Sequence, residues 1–214
     1  MARDRQDVQS RMMEPQTQPP ADVMERLELA ERLKLEGKHG DALAILEDLL
    51  VEDPENVAAL EEVADNELSL EHFERAEAAA REGIALDKES YTAHYILGFL
   101  SSHKEQWEIA LAHLKKANAL KSNNPEILRC LGWVLLRSGA RPQGIVTLER
   151  ALNLEEDNPL TLCDLGVAYM ELRQLKKARG LFERSLAVDP GQERARDCLR
   201  AIERLERAMV ELGT

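Results

Sequence analysis

The chain is short of the residues that disulfide-stapled or metal-built domains depend on. Its 214 residues include three cysteines, Cys130, Cys163 and Cys198. They form no C-x-x-C pair and leave one thiol over in any disulfide scheme, which suits a reducing compartment and small core residues. The five histidines show no H-E-x-x-H spacing, and no cluster of His, Cys and carboxylate has the offsets of a zinc site. No metal and no cofactor are expected. Long apolar runs are missing too: nothing approaches the roughly 20 residues of a membrane span. The charged opening Arg3, Asp4, Arg5 and Asp7 is not followed by the apolar core of a secretory signal. A cytoplasmic location without membrane insertion is expected.

Catalytic signatures are absent as well. There is no G-x-x-x-x-G-K-[ST] loop and no G-x-S-x-G elbow, and "GKHG" at 37–40 reads as a turn between helices. With no strand pattern to carry such a loop, a non-catalytic role is expected. A basic stripe is lacking: residues 1–90 hold 10 Lys and Arg against 24 Asp and Glu, residues 91–214 hold 18 against 16, and the whole carries −12. Nucleic-acid phosphates would be repelled by most of such a surface, so no nucleic acid is expected as a partner.

What remains is rich in Ala, Leu, Glu, Lys and Arg, which favours helix nearly throughout. Against that background a comb appears. Gly98, Gly132 and Gly166 stand 34 residues apart, each preceded by leucine, and the series runs back to Ala64 and Ala30. Twelve residues later come Ala42, Ala76, Ala110, Gly144 and Ala178, and sixteen later Leu46, Ala80, Leu114, Leu148 and Phe182. A period kept over five units without insertion marks stacked repeats, each burying its apolar face against its neighbours. Within a unit, "PLTLCDLGVAYMEL" and "LKKARGLFERSLAV" read as two helices joined by a short polar turn and closed by "DP". Pro125 and Pro159 open first helices, while Pro54 and Pro190 follow second ones.

Unit 159–192, with Leu162, Leu165, Gly166, Tyr169, Ala178, Phe182 and Pro190 in phase, resembles the tetratricopeptide repeat family, and the resemblance runs over 23–192. It departs from the family at Arg26 in the aromatic column of the first unit and at Glu67 and Ala80 in the second. The resemblance implies an all-α, right-handed α-solenoid of about five helical hairpins: 23–56, 57–90, 91–124, 125–158 and 159–192. Residues 193–214 carry one apolar stripe, Ala195, Cys198, Leu199, Ile202, Leu205, Met209 and Leu212, and are expected to cap the array. Residues 1–22, with Gln and Pro and no apolar period, are expected to form a disordered tail, with Asp22 and Glu25 capping the first helix.

The first helix of each unit bears a second stripe. At about 100° per residue, Leu128, Leu131, Gly132 and Leu135 share one arc, whereas Arg129, Trp133, Leu136 and Arg137 lie well away from it. In the family resembled, that second arc lines the inner, concave surface where ligand peptides bind. Tyr95, Phe99 and His103 occupy it in the preceding unit, and Cys163, Val167 and Met170 in the following one, so Phe99, Trp133 and Val167 form a ladder. Glu31 and Asp65 take the rungs in the first two units, with Glu61 and Lys34 nearby. The resemblance thus implies a groove that is acidic at its amino end and aromatic at its carboxyl end. Trp107 and His94 read as packing residues. The carboxylate clamp of some family members does not carry over, because Leu27, Glu31, Glu61 and Asp65 stand where cations and amides would be needed.

Two functional classes follow. One is an adaptor, scaffold or co-chaperone that binds a peptide or helix of a partner protein bearing apolar anchors at one end and Lys or Arg at the other, a bacterial secretion chaperone of this repeat type being a narrower form. The other is a structural module that buries the ladder in a homo-oligomer.

Overall fold

The computed structural model describes residues 21–211, and among them the chain is helical from end to end. Five hairpins follow one another: α1 (Ala21–Leu35) with α2 (His39–Glu52), α3 (Val57–Ser69) with α4 (Phe73–Leu86), α5 (Tyr91–His103) with α6 (Trp107–Leu120), α7 (Pro125–Arg137) with α8 (Arg141–Leu154), and α9 (Pro159–Glu171) with α10 (Leu175–Val188). A last helix, α11 (Glu193–Glu211), closes the stack. Of the expected tail at 1–22, residues 1–20 lie outside the described residues, and Ala21 and Asp22 belong to α1 instead. Helix α1 already begins at Ala21, so Asp22 sits in its first turn and not at the cap position assigned to it.

The helices start and stop where local chemistry dictates. Asn56, Ser90, Asn124 and Asn158 precede α3, α5, α7 and α9, and each side chain accepts the amide of the residue three places on at 2.9 to 3.0 Å. This satisfies a donor that the first helical turn would otherwise leave orphaned. Each first helix ends in one repeated turn. Gly37, Glu71, Glu105, Gly139 and Arg173 all have positive φ, between 55° and 91°. Their amides bond three residues back, and the next amides bond five back, which is the paired closure of a Schellman turn.

Close approach explains the comb. A Cβ on Gly132 would stand 2.7 Å from Leu148 Cγ and 3.1 Å from the Gly144 carbonyl oxygen, so α7 and α8 touch backbone to backbone there. Ala30, Ala64, Ala42, Ala76, Ala110 and Ala178 are fully buried at the equivalent contacts. Larger apolar residues fill the space between hairpins in successive clusters, from Leu46, Leu49 and Ile96 at one end to Phe182 and Ile202 at the other. Each such side chain contributes about 1.5–3 kcal/mol of burial.

In the second unit, Glu67 is fully buried in a column held elsewhere by Leu33, Ser101, Leu135 and Tyr169. Its Oε2 lies 2.7 Å from His72 Nδ1, and its Oε1 lies 2.8 Å from Arg75 Nη2 without hydrogen-bond geometry. Of the stripe on α11, Ala195 and Ile202 are buried and Cys198 and Leu199 are half-buried against Phe182 and Ala178, as a cap requires. Leu205 is exposed, so the docked part of the stripe is shorter than expected. Met209 and Leu212 fall outside the described side chains.

Candidate binding groove

Two adjoining cavities open on the face lined by the first helices. The smaller, about 250 Å³, is lined by Glu31 and Lys34 from α1, Glu62 and Asp65 from α3, Tyr95 from α5 and Glu126 from α7. Lys34 Nζ donates to Glu62 at 2.8 Å and to Asp65 at 2.9 Å. Burial disfavours its charge, yet those two carboxylates win and hold the ammonium above its usual range. Four carboxylates against one ammonium leave this end of the groove negative. Glu61 is not among them: it accepts the Ser90 hydroxyl, and burial pushes its carboxyl upward.

The larger cavity, about 500 Å³, is lined by Phe99 and His103 from α5, Trp107 from α6, Arg129, Trp133 and Arg137 from α7, Asp164 from α9 and Arg194 from α11. Phe99 and His103 pack with ring centroids 4.4 Å apart and their planes tilted by 42°. The Arg194 guanidinium stands 4.5 Å from the centre of the Trp133 ring, and that of Arg137 stands 5.7 Å from both Trp107 and Trp133. These are cation–π distances.

A chain of charge-assisted bonds forms the floor. Tyr95 Oη donates to Glu126 Oε1 at 3.0 Å, and Arg129 Nε donates to Glu126 Oε2 at 2.9 Å. Arg129 Nη1 reaches Asp164 Oδ2 at 3.1 Å, and Arg194 Nη1 donates to Asp164 Oδ1 at 2.6 Å. Burial alone would raise the Glu126 carboxyl, but the Arg129 guanidinium holds it below the usual carboxylate range. Burial also drives the Tyr95 hydroxyl upward, so it stays a donor. It pushes the Cys163 thiol up to about 11 and the Cys130 thiol upward as well, so both are protonated packing groups at neutral pH.

The structure brings most of the second stripe together and moves some members of it. Glu31 and Asp65 line the acidic cavity, and Tyr95 lies at its border with the aromatic one. Phe99, His103, Arg129, Trp133 and Arg137 line the aromatic cavity. Phe99 and Trp133 are each half in the core as well, packed on buried clusters. Leu136 is a correction: at 6% exposure it packs with Leu148, Leu165 and Ala168 and does not face the groove. Cys163 is likewise core, and Val167 and Met170 pack beside it against Phe182 without lining either cavity. Arg129 is no free donor, since Glu126 and Asp164 occupy its guanidinium and its side chain is 12% exposed. Helical phase does not mark every lining residue: Glu62 and Glu126 join the acidic cavity, and Trp107, which reads as packing, Arg194, within the capping helix, and Asp164 join the aromatic one, although an aspartate inside the apolar run "LTLCDLGVAY" demands a cation.

Comparison with known proteins places the architecture. Residues 159–192 match the model of the tetratricopeptide repeat. Anaphase-promoting complex subunit 3 of Schizosaccharomyces pombe is 25% identical over 158 residues, 69% of this chain; the chain spans 24% of that relative's length. The crystal structure of the APC/C hetero-tetramer Cut9-Hcn1 superposes with a TM-score of 0.76 at 17% identity, covering 86% of this chain and 37% of that one. That of YrrB, described as a TPR protein with an unusual peptide-binding site, superposes at 0.60 with 19% identity over 82% of this chain and 90% of that one.

Proposed function

We propose that this chain, a tetratricopeptide repeat protein, is a non-catalytic docking module that holds a segment of a partner protein along the face lined by its first helices. The observation that carries this reading is the pair of adjoining cavities, one negative and one aromatic with arginines. Half-exposed aromatic rings and guanidiniums are the groups that anchor interfaces, because they bury large area at small rotamer cost. The partner segment carries apolar anchors and at least one Lys or Arg, which the acidic cavity attracts. The likeness to YrrB, described as having an unusual peptide-binding site, and to a subunit of a multiprotein assembly supports the same reading.

The test is selection of random peptides displayed on phage against the full chain, followed by binding to variants. Phe99→Ala and Trp107→Ala, on the groove, should each weaken the selected peptides by about tenfold or more, as anchors do. Val146→Asp, at an exposed site away from either cavity, should leave them unchanged. Peptides that bind all three variants as they bind the parent would show that the groove is not the docking face.

A further inference from the structure

Resting on the groove reading above, we propose that the aromatic cavity is a carboxylate site: Arg137 receives a Glu or Asp side chain of the bound segment, whose Lys or Arg enters the acidic cavity three to five residues away. Three arginines line the aromatic cavity, and two are committed. Arg129 donates to Glu126 and Asp164, and Arg194 donates to Asp164. Arg137 stands apart. Its nearest carboxylate, Glu171, is 3.7 Å away and is shared with Arg141 at 3.5 Å, and its guanidinium makes no hydrogen bond among the described residues. With 42% of the side chain exposed, those donors are open to a ligand.

The setting prepares that guanidinium for a planar anion. Trp107 and Trp133 hold it equidistant between their rings, which limits its rotamers before anything binds. The arginine fork matches a carboxylate with two parallel bonds. One uncommitted guanidinium matches one carboxylate, whereas a phosphate dianion would call for a second free cation, and Glu126 and Asp164 together balance the other two.

The spacing follows from the stack. The acidic cavity centres on α3 and α5, the aromatic one on α7, and Tyr95 and Phe99, with ring centroids 6.4 Å apart, stand at the border. Packed helices lie about 8–10 Å apart, so the two charged ends of the ligand lie roughly one and a half helix spacings apart. An extended chain covers about 3.3 Å per residue, which gives about three to five residues between them. An apolar residue between the charges would rest on Phe99.

The experiment uses acetylated, amidated decapeptides of Leu, Ala and Ser bearing one Lys and one Glu, in both orders and at every separation from one to seven. Binding to the full chain is read by fluorescence polarisation. Affinity should peak at a separation of three to five in one of the two orders. Arg137→Gln should lower that affinity about tenfold and abolish the advantage of the Glu peptide over its Glu→Gln twin, as expected for a charged hydrogen bond. Unchanged melting of Arg137→Gln verifies that the fold is intact. Peptides weakened by Phe99→Ala but indifferent to Arg137→Gln would overturn the carboxylate site while leaving the groove reading standing. A free-acid peptide without Glu that outbinds the amidated Glu peptide would overturn the side-chain assignment in favour of a chain end. Failure of every member to bind would overturn both readings.

Discussion

Removing the carboxylate of Asp164 tests whether the charged floor holds the carboxyl-terminal half of the stack together. Asp164 is 3% exposed and accepts from two guanidiniums, Arg129 at 3.1 Å and Arg194 at 2.6 Å. Arg129 is 12% exposed, whereas Arg194 is 43% exposed. Solvent screens the second pair, so it contributes about 0–1 kcal/mol. The first is different, because breaking a buried pair by deleting one partner costs about 3–5 kcal/mol. Arg129 retains Glu126, which moderates the loss, so Asp164→Ala is expected at the lower end, about 3 kcal/mol. With a urea slope of about 1–3 kcal/mol/M, the unfolding midpoint should fall by about 1 M or more. Circular dichroism in urea reads this directly. Arg194→Ala should move the midpoint little, and Arg129→Met combined with Asp164→Leu should cost less than the two changes added, because neither charge is left stranded. A midpoint shift for Asp164→Ala no larger than that of Arg194→Ala would refute the assignment of Asp164 as a buried structural ion.

Gly132→Ala places a methyl group 2.7 Å from Leu148 Cγ, and the Gly144 carbonyl on the same side cannot yield as a flexible side chain would. The expected cost is about 1–3 kcal/mol in the same urea assay, with Gly180→Ala, at an exposed helical site with open space, as a neutral or stabilising control. His94 and His113 face each other with Nδ1 atoms 3.0 Å apart, an arrangement in which one Nδ1 donates to the bare Nδ1 of the other and which protonation of both rings breaks. Burial, chiefly, depresses both below the ordinary imidazole value of about 6.5, with Lys116 acting on His94 and Arg81 on His113 in the same direction. The unfolded chain therefore binds more protons, so the contribution of this pair is present above pH 6.5 and is lost as pH falls through and below that value. Melting temperature measured from pH 7.5 to 5.5 should fall less steeply for His113→Gln than for the parent.

The repeat was legible in the chain because its constraint is local and periodic. Backbone contact between paired helices admits only Gly or Ala at one place on each helix of a hairpin, and two evenly spaced series of five small residues announce it. The half-in, half-out position of Phe99 and Trp133 was legible in helical phase for the same reason. Leu136 was not. A single-helix projection gives one buried arc, but a first helix inside a stack is packed both by its own partner and by the next hairpin, which widens the arc until Leu136 and Cys163 fall within it. The pairing of Arg129 with Asp164 and of Asp164 with Arg194 spans 35 and 30 residues, so no reading of one helix at a time can find it. The acidic bias of the amino half did translate into an acidic cavity, although Lys34 at its centre ties together two carboxylates that composition alone would set against each other.

The bonded floor also makes the coil unequal as a spring. Straightening a curved solenoid stretches its inner side, and from α5 to α11 that side is laced by Tyr95, Glu126, Arg129, Asp164 and Arg194. Such bonds weaken steeply once lengthened, so this stretch resists opening. Between α1 and α3 the inner side carries Glu31, Glu62 and Asp65, like charges that push apart, and Lys34 draws in the latter two. Strain imposed on the array therefore collects in its first two hairpins, where the pitch yields, while the aromatic end keeps its shape.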